Sequence, residues 1–321
     1  MHINFNKSYT LDVLLYIGCM LSAHSDIKYE QEIAEFMPML GTVSDQYVEK
    51  LTKYYLKKPD VMNYIVSILL PHDHLLDWKT TDLLERHRHL TQVFKASPNA
   101  KNASKELKNF LNQDYSKIMP LIKTLVMDLE RLGFKKYWFE EKLPLLKKQI
   151  KNYTTALNDN NPLEILNSWS INFKFPETGE WTIVSYKNKS YDLIMDHYHL
   201  VEKNLDKEDF LASIVDYFLK QTHFKKIIKQ LKPTESLKQE FKNYVQHKQI
   251  KNMTNYIEKS LHLALKKHLN KRISTKNIEI SDDFLFARII YEYLSTNELG
   301  SEKVEIYLSN MMSELGKKRS K

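Results

Sequence analysis

Residues 168–200 read SWSINFKFPETGEWTIVSYKNKSYDLIMDHYHL. Ser168 to Phe175 alternates apolar and polar side chains with period two. Pro176-Glu177-Thr178-Gly179 is a turn signal, and Trp181 to Tyr186 is again β-branched and aromatic. This pattern predicts a β-hairpin. A second polar turn, Lys187 to Ser190, leads into Tyr191 to Lys203, which reads as a helix. The remaining periodic segments are helical, so the fold class expected is mainly α with a small β-hairpin or sheet element (α+β).

On the N-terminal side, helices are expected over 9–23, over 28–57 with a split near Pro38 and Gly41, and over 63–70, 80–95, 104–132 and 138–156. Pro120 and Pro144 should kink or split the last two. Asn158 to Pro162 (NDNNP) is a polar break, and a domain boundary is placed there, giving 1–157 and 158–321. Beyond Glu208 the chain reads as helical, with breaks at Pro233, 274–283 and Gly300. With 6 Gly and 9 Pro in 321 residues, Gly-rich phosphate loops and turn-rich all-β folds are excluded.

The net charge of +8 is unevenly placed: residues 221–273 hold 13 Lys/Arg against 3 Glu, so the rest is slightly acidic. One cysteine, Cys19, rules out an intramolecular disulfide and a multi-cysteine metal site. Ile17-Gly18-Cys19 has a loose likeness to a lipoprotein cleavage box, which would make the chain secreted or lipid-anchored through Cys19. Asp12 interrupts the apolar run and Tyr16 is wrong for the box, so a buried first helix and a cytoplasmic address are expected. No run reaches the ~18 apolar residues that cross a bilayer.

Six of the 12 histidines form the triplets His72/His74, His87/His89 and His197/His199. On a helix, residues two apart diverge too far to share a metal. His87/His89 lie in an expected helix and therefore read as solvated polar residues; His72-Asp73-His74 follows Pro71 in a loop, with no set of further His and Asp at helical spacing to complete a metal motif. In the third, a helix would align Asp192, Asp196 and His199 at i, i+4 and i+7. Such a carboxylate–imidazole stripe could bind a divalent cation or shuttle a proton, or be a solvated face.

A hairpin feeding a helix with carboxylate and His one turn apart resembles the gluzincin-type zincin metallopeptidases. Their motif, His-Glu-x-x-His, reads here Met195-Asp196-His197-Tyr198-His199. The resemblance implies a zincin-like core, Asp196 at the general-base position and His199 as a zinc ligand. It also implies a third ligand on a downstream helix, where Glu258 stands, with His262 one turn on as a possible substitute. Met195 at the first-His position and the shorter Asp196 imply an inactive or altered relative acting as a binding or regulatory protein, with zinc or no cofactor. An active metal-dependent hydrolase with a non-standard ligand set is the reading in which the stripe still works.

The basic segment suggests a different function. Phe224, Ile227, Ile228 and Leu231 share one face of a helix, with Lys225, Lys229 and Lys232 largely opposite. Lys266, Lys267, Lys271 and Arg272 cluster at a later helix end, where the dipole favours cations. These side chains could track phosphates non-specifically or dock a protein partner, or form a solvated amphipathic face.

Overall fold

The structure, a computed structural model, describes residues 2–22, 30–69, 91–92, 95, 105–168, 178–186, 194–195, 198–202, 204–221, 224, 228, 235–245, 252–273, 278–281, 284–297 and 304–318. It is mainly helical with one small sheet. The chain divides into two compact units. One comprises 3–151 and 178–204; the other comprises 1–2, 152–177 and 205–321. The chain leaves the strand-bearing unit at 151/152 and returns to it for the segment 178–204.

In the strand-bearing unit, β1 (His2–Lys7) precedes α1 (Tyr9–Leu21). Ser8 caps α1, its Oγ accepting from the Leu11 amide at 3.2 Å. Every residue of α1 except Thr10 is buried. A helix that is apolar all round belongs inside a core. It packs against α3 (Thr42–Lys57), α4 (Val61–Leu69) and α6 (Tyr115–Arg131). The short α2 (Glu30–Phe36) and the helix α5 (Lys105–Gln113) complete this layer. Gly133, at φ +90°, ends the α6 segment in the left-handed region that glycine adopts without cost.

The sheet has the order β1-β2-β4-β3, with β2 Thr178–Val184, β3 Ile194–Met195 and β4 Tyr198–Glu202. β2 and β4 are parallel, pairing Trp181 with His199 and Ile183 with Val201; β3 and β4 are antiparallel, pairing Met195 with Tyr198. Asn4 and Asn6, two apart on one face of β1, donate to the two carboxylate oxygens of Glu180 on β2 at 2.8 and 2.7 Å.

Three sequence expectations change here. Of the first strand of the expected hairpin, Ser168 instead ends the helix Pro162–Ser168 and the rest falls outside the described residues, while Thr178 and Gly179, read as turn, open β2. The helix expected over Tyr191–Lys203 is replaced at 194–195 and 198–202 by strands. The β-branched and aromatic edge Trp181–Val184 offers backbone partners that outweigh a local helical pattern. Pro120 does not split α6; it is exposed, as is Ser116 one turn before it, so the carbonyl left without its donor can take water.

Pro144 does mark a change. It has no N–H for the carbonyl of Glu140. The chain there passes from α7 (Phe134–Tyr137) through a π-turn, Trp138–Lys142, into α8 (Leu143–Asn160).

In the other unit, the end of α8 and α9 (Pro162–Ser168) are joined by Asn161 at φ 42°. They meet α10 (Lys207–Gln221), where Tyr153 stacks on Phe210 with centroids 4.0 Å apart. Asp206 caps α10 by accepting from the Asp209 amide at 2.7 Å. The long α12 (Met253–Ile273) is capped the same way by Asn252. It is the axis of this unit, packing against α9, α10, α11 (Glu235–Val245) and α13 (Leu285–Thr296). The last helix, α14 (Val304–Lys318), reaches α13's end through Tyr307, whose hydroxyl donates to the Asn297 carbonyl at 2.6 Å.

Candidate functional site

The sequence-derived ligands that the structure describes lie on a strand and on a helix. Asp196 and His197 lie outside the described residues. His199 is on β4, within the strand-bearing unit, and Glu258 and His262 are on α12 of the other. A His-Glu-x-x-His motif needs a helical turn between its ligands, whereas Met195 and His199 sit on two antiparallel strands. The gluzincin resemblance therefore rests on sequence alone. Among the described residues no group of three or more His, Cys, Asp and Glu side chains is arranged to hold a metal ion.

Glu258 and His262 do share a face of α12, but His262 points to Asp216 of α10. Its Nε2 is 3.9 Å from Asp216 Oδ1, too long for a hydrogen bond, and this contact is an ion pair only when the imidazole is protonated. Lys266, the next residue along the same face, donates to Asp216 Oδ2 at 2.6 Å. Burial works to raise the Asp216 pKa, but His262 and Lys266 beside it outweigh this and hold the carboxyl below its usual range. Sequence reasoning missed Asp216, which lies in an otherwise apolar stretch of α10 (SIVDYFL).

The phosphate-tracking residues divide similarly. Lys225, Lys229 and Lys232 lie outside the described residues. Lys266 is committed to Asp216, and Lys267 sits 4.8 Å over the Tyr291 ring. Arg272 is exposed in the last turn of α12 beside exposed Lys271. The structure thus turns two of the proposed phosphate contacts toward neighbouring helices.

One turn before Arg272, His268 is partly buried. Burial first, then the charges of Arg272 and Lys271, lower its pKa to about 4. The imidazole is neutral when folded and takes up a proton near its ordinary pKa of about 6.5 when unfolded. Its contribution is thus complete above about pH 6.5 and is lost as the pH falls toward about 4. Discounted for solvent screening of a partly exposed group, this removes about 1 kcal/mol between about pH 7 and pH 5. Amide exchange along α12 should accelerate correspondingly, and His268→Gln should flatten the response. An unchanged pH response in the variant would exclude this origin.

The strand-bearing unit has a second polar cluster, which sequence reasoning also missed. Asp12, fully buried in α1, accepts from Trp138 Nε1 at 2.6 Å and from the Ser185 amide at 2.7 Å. The π-turn directs both Trp138 and Lys142 inward. Lys142, 5% exposed, pairs with Glu32 of α2. Its ammonium lies 5.2 Å from the centre of the Tyr137 ring and 5.3 Å from that of Tyr186. Tyr16 donates to the Glu32 carbonyl at 3.0 Å.

Burial opposes the charge on Lys142, but Glu32 and Tyr137 more than offset it and raise its pKa. The hydroxyls of Tyr16 and Tyr186 are pushed well above their ordinary range by burial and then by Glu32. A lysine held charged is no nucleophile and tyrosines held protonated are no bases, so the chemistry here is that of a fixed, enclosed ion pair. The sequence did contain one signal for it: a carboxylate inside an apolar run must find donors when buried.

Cys19 is buried in α1. No helix among the described residues is long and apolar enough to cross a membrane. Comparison with known proteins finds no family model, no curated protein and no solved structure that matches this chain.

Proposed function

We propose that this chain is a binding or regulatory protein rather than a metal-dependent hydrolase. The observation that carries the reading is the Lys266 ammonium, 2.6 Å from Asp216 and on the same helix face as His262. A fixed positive charge on the carboxylate beside the best-placed histidine opposes a divalent cation at that position. Displacing Lys266 would also strand a partly buried ammonium. On this reading Asp196, His199 and Glu258 are remnants of the gluzincin pattern rather than a working ligand set.

The test is calorimetric titration of the full chain with zinc, alongside His262→Ala and His199→Ala. The expected result is no tight one-to-one site that depends on either histidine, and no chelator-sensitive peptide hydrolysis. Stoichiometric zinc, lost in either variant, would overturn the reading and restore the hydrolase.

A further inference from the structure

The unit built around α12 has an open cavity of about 550 Å³, lined by Lys267, Glu279, Ile280, Arg288, Tyr291 and Glu292. This lies within the range of small-molecule sites, roughly 300–1,000 Å³. Arg288, Tyr291 and Glu292 stand at i, i+3 and i+4 on one face of α13. Lys267 enters from α12 and is held over the Tyr291 ring. Arg288 is oriented by a bond from its guanidinium to the Ile280 carbonyl at 3.3 Å, and buried Ile280 adds an apolar surface. The wall therefore carries two cations, two carboxylates and one aromatic ring.

A ligand with a single charge would meet one matching pair and one opposing pair. A ligand with both charges would satisfy the two pairs together. We propose that this cavity binds a short dipolar molecule, with an ammonium group toward Glu279 and Glu292 and an anionic group toward Lys267 and Arg288. This rests on the binding reading above and supplies its ligand class. The anionic group is a carboxylate or a phosphate, both of which suit a Lys/Arg pair.

The experiment is calorimetric titration of the full chain with γ-aminobutyrate and with phosphoethanolamine, against singly charged butyrate and butylammonium. At least one dipolar probe should saturate with a Kd of about 1 mM or tighter, at least about tenfold better than either singly charged probe. The stronger arm identifies the anionic group. Glu279→Gln and Lys267→Gln should each weaken that probe at least about tenfold. Glu279 is exposed, so its variant decides the matter if the Lys267 change perturbs folding.

The proposal is overturned by no saturation up to about 10 mM, by equal binding of butyrate or butylammonium, or by full binding in Glu279→Gln. The zinc titration decides the broader reading separately: a histidine-dependent zinc site would overturn that reading and leave this assay interpretable on its own.

Discussion

Asp12→Ala should destabilise the strand-bearing unit by about 3–5 kcal/mol, from two orphaned buried donors and a small cavity. The Trp138 indole N–H and the Ser185 amide both donate to this one carboxylate, at 2.6 and 2.7 Å, from elements far apart in sequence. Asp12→Asn should cost less than alanine, because one oxygen survives, yet still cost clearly, because its amide hydrogens face a second donor. Trp138→Phe should be milder, since it leaves the carboxylate its bond to Ser185. The measurement is site-resolved amide exchange over α1 and β2, because a two-unit chain need not unfold in one step. Wild-type protection in Asp12→Ala would show that the carboxylate joins nothing essential.

The second large effect concerns the Lys142–Glu32 pair, and its direction is asymmetric. The Lys142 side chain is 6% exposed and that of Glu32 27%. Removing Glu32, as in Glu32→Leu, leaves a buried ammonium without its carboxylate, beside Tyr137 and Tyr186. That should cost about 3–4 kcal/mol, even after the rings return part of it. Removing Lys142, as in Lys142→Met, leaves a carboxylate whose side chain is less enclosed than that of Lys142, although its Oε2 is buried, and should cost less, about 2 kcal/mol. The double variant should recover most of the loss, since two apolar groups replace two charges. Urea midpoints for the four proteins give the coupling energy directly. Equal costs for the two single changes, or strictly additive ones, would contradict an enclosed ion pair.

Where the sequence could be read, local chemistry was sufficient. The apolar run of 11–21 predicts α1 despite Asp12, and Pro38 with Gly41 separates α2 from α3. Trp181 to Val184 is a strand, as its β-branched and aromatic residues require. The failure at Tyr191–Lys203 has a physical origin: Tyr198 pairs with Glu180, and no local pattern reveals a parallel partner outside the segment. The helical spacing of Asp192, Asp196 and His199 concerned polar residues alone, whereas Leu200 and Val201 equally suit a strand.

The same distinction applies to the sites. His262 and Lys266 were legible as two basic residues one turn apart, but the carboxylate that claims them, Asp216, comes from another helix. Asp12 counted in the sequence only as a blemish in an apolar run, because its donors lie 126 and 173 residues away. Pro144 marked a change of helix next to Lys142, but no local pattern showed that a π-turn would direct that lysine inward.

Those separations also set an order of events during synthesis. The first helix made is almost entirely apolar, yet the amide that completes its polar anchor is Ser185. At about 5–20 residues per second, the ribosome needs roughly 10–35 s to cover that interval. Throughout it, α1 has neither β2 nor the Asp12–Ser185 bond, although α3, α4 and α6 emerge in turn to cover its other faces. The unit can close only after the polypeptide has left it, begun the second unit at 152–177 and come back. A nascent chain halted between Lys151 and Thr178 should therefore depend on chaperones that shield exposed apolar helices, and this dependence should end once β2 and β4 have emerged.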